Sequence, residues 1–139
     1  QQLEELDKKV TQWNKLYNVL NDNLKKQDGI FFPNRDNDEY FVGSSIQFRI
    51  DSLNDEQIKF FINNCKARGV ELKWFGDKKP VAYTSRYDSW KYLDNIPRLA
   101  NTLRILSKTF DMRIPLTFTV QDCNIISKII IEELQKVQN

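Results

Sequence analysis

YFVGSSIQFRIDSLNDEQIKFFINNCKARG, residues 40–69, changes its hydrophobic period part-way along. In the first third, Tyr40, Val42, Ile46, Phe48 and Ile50 fall on one side, with Gly43, Gln47 and Arg49 on the other. A spacing of two is that of a half-buried strand, and Phe41 is the residue out of phase. Beyond Leu53 the spacing becomes three and four, so that Ile58, Phe61, Ile62 and Cys65 mark one stripe of a helix. Asn54 with Gln57 three residues on has the form of a capping box, and Gly69 after Arg68 offers the left-handed exit. A strand that runs into a helix through a short turn sets the pattern for the rest of the chain.

Upstream, Leu3, Leu6, Val10, Trp13, Tyr17, Leu20 and Leu24 repeat at three and four over three heptads. They predict a helix over residues 1–28, roughly 40 Å long at 1.5 Å per residue. Lys25 and Lys26 suit its negative end, and Gly29 its exit. The stripe fits a groove on its own domain or the seam of a coiled coil. Downstream, VELKWF (70–75) reads as a short strand with Val70, Leu72 and Trp74 inward and Glu71, Lys73 and Phe75 outward. Pro97 predicts the first turn of a short helix containing Leu99, Leu103 and Leu106. MRIPLTF (112–118) is a third strand whose Pro115 implies an edge position or an early end. Thr119 with Asp122 caps a last helix carrying Cys123, Ile126, Ile130, Leu134 and Val137.

The fold expected is α+β: a small, three-stranded, mainly antiparallel sheet with helices packed on one face, preceded by the long helix. Residues 29–139 form the domain proper. The other sheet face, carrying Gln47, Arg49, Glu71, Lys73 and Arg113, is left without a cover.

Composition narrows the chemistry. The chain has no histidine, which removes the commonest general base, the usual zinc ligand and any Ser-His or Cys-His nucleophile. A net charge of +2, from 21 basic and 19 acidic residues spread along the chain, lacks the basic stripe of a sequence-independent nucleic-acid binder. Four glycines supply no phosphate-cradling loop. Neither a membrane span nor a signal peptide is visible, and Cys65 and Cys123 read as buried reduced thiols rather than a disulfide. Cytoplasmic location follows from these. No metal site is expected.

KKPVAYTSRYDSWKYL, residues 78–93, fits neither period. Tyr83, Tyr87, Trp90 and Tyr92 are costly to leave in water together, and their polar ends need partners if buried. Either they pack over the sheet edge, or they form rigid walls of a binding loop in which Arg86 is a bidentate donor for a carboxylate or phosphate. Base stacking is a third reading that the weak net charge disfavours. Asp88 with Glu71 or Asp94 gains no support as a catalytic pair from spacing alone.

ARGVELKWFG (67–76) and IPRLANTLRILSKTFDMRIPLTFTVQDCNIISKII (96–130) resemble the C-terminal small domain of the DegT/StrS sugar aminotransferase family, pyridoxal-phosphate enzymes of fold type I. The resemblance covers nearly the whole chain in order. KWFG and TSRYDSW are similar to a subgroup related to perosamine-synthetase-like proteins. Lys73, Trp74 and Phe75 stand where the family has a Tyr-Pro or His-Tyr pair.

The resemblance implies a full-length enzyme that moves an amino group from an amino acid to a keto-sugar nucleotide, in surface polysaccharide biosynthesis. Its partners would be a missing large domain, a homodimer mate and small-molecule sugar and amino-acid substrates, with neither nucleic acid nor membrane. Pyridoxal 5'-phosphate would sit in the full-length enzyme and not on this fragment, since its lysine, its acid and its phosphate cup belong to the large domain. No catalytic residue is expected here. Lys73, Trp74, Arg86, Tyr87, Asp88, Trp90 and Arg113 are the candidate substrate contacts, the 78–93 segment closing over the active-site mouth. The start QQLEEL, lacking methionine, fits an excised C-terminal domain. The alternative is a non-catalytic module that dimerises through the heptad helix and grips a partner with the aromatic loop.

Overall fold

A computed structural model describes residues 5–36, 39–79, 86, 88, 92 and 94–138 of the chain. The elements run α1 (Leu6–Leu24), β1 (Ile30–Phe31), β2 (Ser45–Ile50), α2 (Asp55–Ala67), β3 (Lys73–Trp74), α3 (Ala100–Leu106), β4 (Thr109–Arg113) and α4 (Val120–Gln138). The sheet is antiparallel throughout, in the order β1-β2-β4-β3. Expected class and helix layer are both present, but among the described residues the sheet has four strands, not three. The added strand is the two-residue β1, which pairs Ile30 with Ile50 and Phe31 with Arg49.

Local capping explains where α2 and α4 begin. The Asn54 side chain accepts from the Gln57 N–H at 2.9 Å while Gln57 Oε1 accepts from the Asn54 N–H at 2.9 Å. Thr119 and Asp122 do the same for α4, with Asp122 Oδ2 accepting from the Thr119 N–H at 2.8 Å and the Asp122 N–H donating to Thr119 Oγ1 at 3.1 Å. At the far end of α2, Gly69 turns at φ +86°, and the Gly69 and Val70 N–H groups satisfy the carbonyls of Lys66 and Cys65 at 2.9 Å each.

Ile46, Phe48, Ile50, Phe110, Met112 and Trp74 form the buried side of the sheet, and Ile30 joins them from the edge. α1, α2 and α4 cover it, with α4 packed between the other two helices. That position explains why α4 buries Ile129, Ser127 and Glu133 as well as its expected Cys123, Ile130 and Leu134. Val10, Leu16, Tyr17, Leu20 and Leu24 of α1 are consumed in this core. From Val10 onward the apolar side of α1 is therefore spent within the domain, which leaves that part of the helix no free coiled-coil seam.

Three expectations need correction. The strand predicted from Tyr40 begins only at Ser45, because Phe41 turns inward onto Tyr17 (ring centroids 5.2 Å apart) and Tyr40 is 79% exposed. The third helix starts at Ala100 and not at Pro97, since Leu99 has ψ +84° and the first helical bond runs from the Leu103 N–H to the Leu99 carbonyl. The RIPL strand lies earlier, at Thr109–Arg113. Ile114 adds one bond to Ser44, and Pro115 ends the ladder.

Gly43 is held by Asn14 on α1, whose Oδ1 accepts the Gly43 N–H at 2.7 Å while its Nδ2 donates to the Phe41 carbonyl at 3.0 Å. A Cβ on Gly43 would lie 2.5 Å from Tyr17 Cβ. Gly43→Ala should therefore cost about 1–3 kcal/mol of unfolding free energy, read as a lower urea midpoint; an unchanged midpoint would mean that the loop shifts freely off α1.

Buried Glu133 ties α4 to the end of α2. It accepts from Arg68 Nη1 and from Lys136 Nζ, each at 2.7 Å, and Arg68 also reaches Glu132 at 2.8 Å. Lys136 and then Arg68 hold the Glu133 carboxyl below the usual carboxylate range, and Arg68 lowers Glu132. A carboxylate depressed in the folded chain stabilises above its unfolded value, near 4.5, and loses that contribution as pH falls through the folded value. Stability to urea should hold between pH 7 and about pH 5 and decline below about pH 4.5, with a shallower decline in Glu133→Gln. Equal acid slopes in the two proteins would remove this network from the account.

Candidate functional site

The site candidates converge only at the β3 edge of the sheet. β3 pairs with the first half of β4, Lys73 opposite Asp111 and Trp74 opposite Phe110, and the Phe75 N–H then donates to the Thr109 carbonyl at 3.1 Å. Trp74 is buried, and its indole N–H donates to the Ser107 carbonyl at 2.9 Å, just past the end of α3. An indole with its one donor satisfied inside the core acts as the inner wall of this corner. Lys73 Nζ stands 5.2 Å from the centroid of the Phe75 ring on the outer face.

Arg86 and Asp88 meet as a two-pronged ion pair. Arg86 Nε donates to Asp88 Oδ1 at 2.8 Å, and Nη2 donates to Oδ2. The guanidinium holds the Asp88 carboxyl below the ordinary aspartate range. Both side chains keep about a third of their surface exposed (29% and 35%), so this is a half-exposed pair and not a buried one. Among the described residues they share a cavity of about 150 Å³ with Phe75, Gly76, Leu103, Leu106 and Ser107.

The remaining candidates lie elsewhere. Arg113 is exposed and sits opposite Ser45, at the other end of β4, about 13 Å along the strand from Thr109 at 3.3 Å per residue. Tyr87 and Trp90, with Tyr83, lie outside the described residues. Tyr92 is 96% exposed. Phe75, Leu103, Leu106 and Ser107 did not stand out in the sequence as site residues, because their periods assign them to a strand and a helix stripe. In fact α3 buries none of its residues, and it is this unburied apolar side that forms the cavity wall.

The outer sheet face carries Gln47, Arg49, Lys73 and Arg113, together with Thr109, Asp111 and Phe31. Glu71 precedes β3 and is exposed, so it is not part of that face. Arg49 stacks its guanidinium 5.6 Å from the Phe31 ring centroid, and Phe31 remains 49% exposed. Phe31, Gln47 and Arg113 are open to solvent.

Classical catalytic groups are scarce. No cluster of three metal-ligating side chains occurs among the described residues, and no helix there is long and apolar enough to cross a membrane. Both cysteines are buried and free. Burial, and then the Glu133 charge, push the Cys65 thiol up to about 12, and burial also raises Cys123. The thiolate is the reactive form, so neither is poised as a nucleophile. Ellman's reagent should label neither thiol in the native chain at pH 8 and both in urea; native labelling within minutes would contradict this burial.

No protein-family model matches the chain, and no curated protein matches its sequence. Its fold does match a solved structure, the crystal structure of 3-amino-5-hydroxybenzoic acid (AHBA) synthase, with a TM-score of 0.72. The chain has the fold of one segment of that synthase. The superposition covers 97% of this chain and 36% of the synthase, at 18% identity. This chain thus spans about a third of the length of the protein it matches.

Proposed function

We propose that the chain is the small domain of a pyridoxal-phosphate-dependent aminotransferase of the DegT/StrS kind. Two observations of different origin support the reading. The segments 67–76 and 96–130 resemble that family in sequence, and the fold superposes on about a third of a synthase whose named product bears an amino group. The second observation carries the proposal, because it is blind to the motif reading and yet spans 97% of the chain.

In this reading the pyridoxal-phosphate site does not lie among the described residues. Among them no lysine is buried, Lys108 donates to the Leu53 carbonyl, and Lys73 lies over the Phe75 ring. The cofactor's lysine and phosphate cup would therefore belong to a lobe outside this chain. The open sheet face, with its two cation-covered aromatic rings, is the surface such a lobe would cover. In this reading the β3 edge supplies positioning and electrostatics while the cofactor carries the hard chemistry. Arg86 or Arg113 would receive an acidic group of substrate, and Tyr87, Asp88, Trp90, Trp74 and Lys73 would line the approach. A keto-sugar nucleotide as acceptor, an amino acid as donor, a perosamine-synthetase-like specificity, a homodimer and a role in surface polysaccharide are the finer parts of the proposal.

The test is the longest polypeptide that contains these residues. Expressed with pyridoxal phosphate, it should carry a visible absorbance band that borohydride abolishes, and it should consume an amino donor when given a keto-sugar nucleotide. A polypeptide that contains no lysine-bearing large lobe, or takes up no cofactor, overturns the reading.

A further inference from the structure

We draw no further inference here: the strongest candidate, the open groove of about 370 Å³ between α1 and α4, carries nothing, because Asn23 is bonded to Asn124 and Glu132 to Arg68, its Lys26 and Lys128 are exposed surface lysines, and nothing in the structure shows what fills it.

Discussion

The stack of Phe48 on Phe110 is the constraint on which the rest of the molecule hangs. These two residues face each other across the central β2–β4 pair, with ring centroids 5.5 Å apart and planes inclined by 22°. Phe61 of α2 meets Phe110 edge-on at 5.7 Å, and Phe32 tilts against Phe48 from beyond β1 at 6.2 Å. Offset and edge-to-face pairs of this kind add to what the buried area alone supplies. They also fix register, and a one-residue slip between β2 and β4 would turn Ile46, Phe48 and Ile50 outward and Gln47 and Arg49 into the helix layer. With register set, Trp74 must point inward beside Phe110, and its neighbours Lys73 and Phe75 outward. The candidate site sits where this chain of necessity ends, one residue beyond the core.

How much of this was legible in the sequence depends on how local each signal is. The boxes at Asn54–Gln57 and Thr119–Asp122 and the exit at Gly69 depend on residues three or four apart, and the structure places each where the sequence does. Signals that need a distant partner were lost. Ile30–Phe31 is too short to show a period and becomes a strand only because Ile50 and Arg49 lie ready to pair with it. The alternation at Tyr40 and Val42 misleads for the converse reason, since Asn14 and Tyr17 on α1 draw Phe41 and Gly43 inward. Pro97 permits a helix start without requiring one, and Leu99 keeps an extended ψ.

The site shows the same division at a coarser scale. Arg86 and Asp88 were each visible as chemistry, and their closeness in sequence makes their pairing easy. The walls come from two separate segments, Phe75 and Gly76 after β3 and Leu103, Leu106 and Ser107 at the end of α3, and no spacing could bring them together. Arg113 lies apart from that cavity. It shares a resemblance-based role with Arg86, yet antiparallel pairing sends it to the opposite end of β4.

Separate demands on the two faces of the sheet explain why the molecule closes its core on one side and leaves the other side open. The buried side depends on apolar area and is complete, from Leu20 and Leu24 of α1 through Ile130 and Leu134 of α4, all at 0% exposure. The outer face places a cation over each exposed ring, Arg49 on Phe31 and Lys73 on Phe75, and sets Asp111 between Lys73 and Gln47. Rings covered in this way are tolerable in water, and Arg49 also pairs with Asp51 at 2.7 Å. Such a surface makes covering optional for stability.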